Sequence, residues 1–114
     1  MLRMITAWLI GLSLFMSAAH AETPTARISA LASGALLLNG QPADLALIEA
    51  ELKRIKSLNG AVWYYRDNPR SEPGPEANSV VQLIIQYRLP VSFSSKPDFS
   101  DYVDENGRSH PRTR

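Results

Sequence analysis

The 114-residue chain contains no cysteine. That excludes disulfides, thiolate metal sites and dithiol redox motifs, so any fold must be held by packing alone. It has only two histidines, His20 and His110, and no HExxH pair, Cys/His metal spacing or Gly-rich phosphate loop. Charge of one sign is also missing: 12 basic residues face 11 acidic ones, a formal net charge of +1. A nucleic acid or an anionic membrane surface as partner would call for a basic surplus, and there is none. No Asn-x-Ser/Thr glycosylation acceptor occurs.

Long hydrophobic runs are nearly absent too, and the single exception is informative. Arg3 gives a short basic start, and an uncharged 16-residue stretch follows from Met4 to Ala19. The small-residue site Ala19-His20-Ala21 comes next, with Glu22 behind it. This is the order of an export signal cleaved after Ala21. The run is short of the ~20 residues that span a bilayer core and has no basic flank on its far side, so a retained anchor is disfavoured. No cysteine follows for lipid attachment, and no Arg-Arg pair precedes it. The expected destination is the bacterial periplasm, reached by a Sec-type signal, with a mature form not embedded in the membrane. Removing 21 of 114 residues leaves 93, with 11 basic and 11 acidic side chains. That is one domain, 22–97, followed by an acidic and polar tail, 98–114. A domain of this size buries about 60–65% of its unfolded surface, enough for a modest core.

Along the mature chain, Arg27 to Ala32 alternates weakly, Ser33-Gly34 offers a turn, and Ala35–Leu38 is a short apolar run stopped by Asn39-Gly40. Asp44 is placed to cap a helix whose Leu45, Ile48, Leu52 and Ile55 share one face, with Leu58 following. Glu49 and Lys53 form an i, i+4 pair on its wet side, and Gly60 suits a left-handed residue closing it. Ala61 to Arg66, with Val62, Trp63, Tyr64 and Tyr65, reads as a strand. Asn68 to Gly74, with Pro69 and Pro73, is a polar loop. Pro75 opens a second helix with Glu76 at its positive end, and Val80, Val81, Ile84, Ile85 and Tyr87 give it an apolar face. Val91 to Ser95 alternates as a final strand. The order β-β-α-β-α-β predicts an α+β, two-layer domain with both helices on one face of a mixed sheet. The expected core joins Leu45, Ile48, Leu52, Ile55, Val81 and Ile84 to Val62, Tyr64, Val91 and Phe93. Residues 98–114 read as a surface tail or an extra hairpin at Asn106-Gly107.

This order, with Gly34-Ala35-Leu36-Leu37-Leu38-Asn39-Gly40-Gln41-Pro42 leading into a helix, resembles the periplasmic domain of the ExbD/TolR family over about residues 27–95. The resemblance implies a hairpin followed by helix, strand, helix and strand, and a domain that dimerises and contacts partner proteins or peptidoglycan. In that family the domain hangs from an uncleaved transmembrane helix with an acidic residue coupled to proton flow. Here the apolar run holds no Asp or Glu, so that role has no residue to carry it. The segments Trp63–Pro69 and Ser95–Tyr102 depart from the family pattern and are similar to a bacterial family of uncharacterised exported proteins, which brings no activity with it.

Topology supplies the candidate site. Ligands of open α/β sheets bind beyond the carboxyl ends of parallel strands. Arg66, Asp67 and Asn68 leave one strand there, and Ser94, Ser95, Lys96 and Asp98 leave the other. These residues would orient a small polar ligand or a partner peptide; the plainer reading is a set of exposed loop ion pairs. Trp63 and Tyr65 point away from the helices, to be covered by the first strands or by Phe99 and Tyr102 of the tail, or else to form an exposed binding patch. The acids Asp98, Asp101, Asp104 and Glu105 do not make an EF-hand, since counting back from Gly107 puts Tyr102 in the first ligand position. His110 sits near the free end, a poor place for a catalytic base. No catalytic or metal residue and no cofactor are implied. The expectation is an exported binding module for a periplasmic protein or cell-envelope component, with partner-binding residues Trp63, Tyr65, Arg66, Asp67, Lys96 and Asp98. A homodimer through a sheet edge, a protein that blocks an exported toxin, and a small hydrolase using Asp67 and Asp98 are the alternatives.

Overall fold

Alternation decides the first strand. In β1 (Thr25–Ala30), Ala26, Ile28 and Ala30 are buried, while Arg27 between them is exposed. This is seen in a computed structural model that describes residues 23–68 and 71–113. The export signal, its cleavage after Ala21 and Pro69 of the polar loop lie outside the described residues. Ser33-Gly34 turns the chain into β2 (Leu36–Leu38), which runs antiparallel to β1. At Asn39 and Gly40 both φ angles are positive, 51° and 84°, as a type I′ hairpin requires. The chain therefore doubles back as β3 (Gln41–Ala43), a strand beyond those expected. Pro42 is tolerated there because β3 is an edge strand.

Asp44 caps α1 (Leu45–Ser57) as its position foretold, Oδ1 accepting from the Leu47 amide at 2.8 Å. Ile48, Leu52 and Ile55 are fully buried, each contributing about 1.5–3 kcal/mol. The wet face differs from expectation. Glu49 accepts a 2.6 Å hydrogen bond from the Tyr87 hydroxyl across the helix pair, and the ion pair of α1 is Glu51–Arg54. The helix ends in a Schellman arrangement: the Asn59 amide donates to Lys56 and the Gly60 amide to Ile55. The left-handed residue is Asn59, with φ 56°, not Gly60. Gly60 is there for space, because a Cβ on it would lie 2.4 Å from the Pro24 carbonyl oxygen and 2.7 Å from Ile55 Cγ2.

β4 (Ala61–Arg66) pairs parallel with β1 in unbroken register, Ile28 opposite Tyr64. After the loop, α2 (Pro75–Gln86) starts with Gly74 as cap and Pro75 in its first turn, then buries Ala77, Val80 and Ile84. β5 (Val91–Ser94) pairs parallel with β4. The remaining residues form the hairpin and not a loose tail: β6 (Asp101–Val103) and β7 (Ser109–Pro111) extend the sheet to seven strands in the order β3-β2-β1-β4-β5-β6-β7. Two helices packed against a mixed sheet confirm the α+β reading, and one core cluster joins β1, β2, β4, α1 and α2. Among the described residues no helix is long and apolar enough to cross a membrane.

Val91 and Phe93 do not belong to that core. Their register places them on the helix side, opposite Val62 and Tyr64, yet they are 38% and 49% exposed. Two helices side by side span about 20 Å, roughly four strand spacings, so a seven-stranded sheet outruns its cover. Ile85 is exposed because it lies on α2 away from the face held by Ala77, Val80 and Ile84.

Gly60→Ala should lower stability by about 2 kcal/mol, because the obstacle is a backbone carbonyl that cannot step aside. Thermal or urea denaturation measures it; an unchanged midpoint would contradict the close approach.

Candidate functional site

The carboxyl ends of the parallel strands do open onto a pocket, of about 250 Å³. Its walls are the turn Leu31–Gly34 after β1, Arg66–Asn68 at the end of β4, Ser71 and Glu72 of the loop, and Gly74–Ala77 at the start of α2. Asp67 ties the first two together. Its Oδ2 accepts from the Ala32 amide at 3.0 Å and its Oδ1 from the Tyr65 hydroxyl at 2.7 Å, while its own amide donates to Ala30. The Tyr65 hydroxyl first and the Ala32 amide second hold this carboxyl below the ordinary aspartate range. Across the pocket, Glu76 occupies the positive end of α2 and lies against Gly34, where an added Cβ would meet its Oε1 at 3.3 Å. Gly34 has φ +95°, so a side chain there would be strained as well as crowded. Arg66, Asp67, Glu72 and Glu76 give the pocket charges of both signs.

Of the residues expected at this edge, Arg66, Asp67 and Asn68 come together and Lys96 and Asp98 do not. The latter two lie in the β5–β6 connection, outside the pocket walls. Asp98 accepts from the Ser100 amide at 3.0 Å, and Ser100 first, with Lys96 a lesser contributor, keeps its carboxyl below the ordinary range. The turn at Ser33-Gly34 takes their place. Its position was readable, because β1 is the first strand of a parallel unit and its carboxyl end must share the β4 edge.

Trp63 and Tyr65 stand on the face without helices, half-buried by the chain's own end. Phe99 packs against both rings, with centroids 6.5 Å from each. It is buried and held at φ 59°, a left-handed conformation that costs a non-glycine residue about 1–2 kcal/mol. Arg112 reaches back over Trp63, 3.9 Å from the ring centroid. Its Nε donates to the Phe99 carbonyl at 3.0 Å and its Nη2 to Ser94 Oγ at 2.9 Å. Of the covers considered for this face, the tail is the one found. No sequence pattern marked Arg112, since its partner Trp63 is brought near only by the two added strands.

Beside it, Asp101 is 2% exposed. Its carboxylate accepts from the Ser95 amide at 3.0 Å, from Ser95 Oγ, and from Ser109 Oγ at 2.6 Å. Burial alone would push this carboxyl up; the Ser109 and Ser95 hydroxyls, with the Ser95 and Lys96 amides, more than reverse that and bring it to about 2. Among the described residues no cluster of His, Asp or Glu is arranged to hold a metal ion.

The folded carboxyl of Asp101 thus titrates below its unfolded value of 3.8. Its stabilisation is complete above that value and is lost as pH falls through about 2. Acid denaturation followed between pH 5 and 2 should show a steep loss, and Asp101→Asn should be less stable at pH 7 with a flatter acid limb. Parallel limbs for the two proteins would mean that Asp101 does not set the acid response.

No family model matches the chain, and neither a curated protein nor a solved structure does.

Proposed function

We propose that the chain is an exported, non-enzymatic binding module that contacts a periplasmic protein or cell-envelope component at the carboxyl edge of its sheet. The observation that carries this reading is the edge pocket, open and polar, with side chains of both signs in its walls. Asp67 is engaged on both oxygens by groups that position the loop, which suits a structural acceptor better than a proton-transfer group. A hydrolase built on Asp67 and Asp98 would need both in one concave site, and Asp98 is not among the pocket walls. The resemblance of the hairpin–helix–strand–helix–strand order to the ExbD/TolR periplasmic domain supports binding over catalysis by analogy of fold. A protein that blocks an exported toxin is one form of the same reading.

The test is affinity capture by the tagged chain from its own envelope fraction, with Arg66→Glu beside the wild type. The expected result is a specific partner retained by the wild type and reduced about tenfold or more in the variant, with no change in melting temperature, as for the loss of a charge pair at a binding surface. Equal capture by the variant would remove the edge from consideration. An empty capture would move the weight to a small-molecule ligand. Sedimentation of the same preparation separates these outcomes from a homodimer through a sheet edge, which would double the mass.

A further inference from the structure

The face opposite the helices carries an alternation of cation and ring from β1 to β7. Arg27 lies 5.2 Å from the Trp63 centroid, and Arg112 lies 3.9 Å from the same ring and 5.9 Å from Tyr102. His110 then stacks on Tyr102 at 5.1 Å and 21°. The five residues come from β1, β4, the last residues of the chain, β6 and β7, so the stack crosses strands instead of following one. Trp63 is opposite Arg27 in the β1–β4 register, and Tyr102 is opposite His110 in the β6–β7 register.

Among the described residues the two guanidiniums of the stack make no ion pair, and Asp101 acts on Arg112 only from beyond ion-pair distance. Among the described residues the ion pairs are Glu51–Arg54 and Asp104–His110, and neither involves Arg27 or Arg112. Arg112 uses Nε and Nη2 on Phe99 and Ser94, and no hydrogen bond of its Nη1 or of the Arg27 guanidinium is found among the described residues. The acids nearby accept their hydrogen bonds from other groups, Asp101 from Ser95 and Ser109, Asp67 from Tyr65 and Asp104 from His110, while the charge of Asp101 still acts on Arg112. Burial lowers the Arg112 pKa, and the charge of Arg27 adds to that against the pull of Asp101, so the two guanidiniums repel. Rings hold two like charges close together without neutralising them.

We propose that this face docks an extended acidic peptide segment of a partner protein, its carboxylates taken by the Arg27 and Arg112 guanidiniums. Arg27 has the planar fork of its guanidinium to offer a carboxylate, and Arg112, whose Nε and Nη2 already donate to Phe99 and Ser94, offers Nη1. Tyr102, 38% exposed, adds an aromatic surface at the margin of the stripe. The face is open and crosses neighbouring strands, which suits an extended chain better than a small molecule needing enclosure. It lies apart from the edge pocket and does not depend on the reading of that pocket.

The experiment is calorimetric titration of the full chain with a hexaglutamate peptide, at low salt and at physiological salt. Wild type should bind one peptide per chain, more weakly as salt rises. Arg27→Gln, at an exposed position, should keep its melting temperature and weaken binding about fivefold or more. Arg112→Lys keeps the charge but loses Nη1 and the bonds to Phe99 and Ser94, so it should weaken binding and also lower the melting temperature, which leaves Arg27→Gln as the variant that decides. Lys53→Gln removes one charge from α1 and should bind as the wild type does. No binding by the wild type, an equal loss in Lys53→Gln, or full binding by Arg27→Gln would each overturn the proposal. A heparin-derived hexasaccharide binding more tightly than hexaglutamate would overturn it in favour of a sulfated glycan.

Discussion

The position of β4 constrains everything around it. It is the central strand of seven, flanked by β1 and β5, and alternation sends Val62 and Tyr64 to one face and Trp63 and Tyr65 to the other. Both faces must be covered, because large aromatic rings left in water would forfeit most of the burial that a small domain depends on. The helices cover the first face. Among the described residues no third helix covers the second, and residues near the C-terminal end do that work: Phe99 against both rings, Arg112 over the indole. The C-terminal hairpin is therefore part of the folding unit, fastened to the sheet through a ring it does not itself contain.

That attachment is polar where the helix side is apolar, and the polarity has to be satisfied group by group. Asp101 shows how. Its buried carboxylate is matched by two hydroxyls and a backbone amide, while its carbonyl accepts from Ser94 Oγ, which in turn accepts from Arg112. One connected network thus spans β5, β6, β7 and the chain end. The Tyr64 hydroxyl is the contrast, a buried side-chain group with no hydrogen-bond partner among the described residues. Leaving such a group unpaired costs about 1–3 kcal/mol. The ring around it is held between the core and an edge-on contact with Phe93 at 6.0 Å. Burial accordingly pushes the Tyr64 hydroxyl's pKa up.

What was legible in the sequence was whatever a short stretch decides for itself. Asp44 caps because its side chain meets amides three residues on; Asn39-Gly40 turns because both residues accept positive φ; Ile48, Leu52 and Ile55 share a face by spacing alone. The misses depend on distant partners. Val91 and Phe93 alternate like core residues, but the width of two helices, not the strand's own pattern, decides whether they are covered. Glu49 had a lysine one turn away and chose Tyr87, 38 residues on. Gly60 looked like a conformational glycine and is a steric one, because Pro24 passes beside it. At the candidate site, Arg66 and Asp67 were placed by the parallel-strand rule, while Lys96 and Asp98 were carried elsewhere by a turn whose course that rule does not govern.

The edges of the sheet bear on where a partner can be met. An open edge offers unpaired amides and carbonyls to any other chain. Here the two outer strands are β3 and β7, three residues each, and each contains a proline, Pro42 and Pro111. A strand of three residues with one amide removed can support few ladder hydrogen bonds, so strand addition would start from a weak template. The same prolines protect a chain without disulfides against edge-to-edge association. The surfaces made of side chains are of two kinds: the pocket beyond β1 and β4, lined in part by the core residues Ala30, Leu36 and Ala77, and the helix-free face, where residues that close the fold also carry the Arg27 and Arg112 charges. Anything that binds the Arg27–Trp63–Arg112 stack also stabilises the attachment of the C-terminal hairpin, so binding and local order at that end are thermodynamically linked.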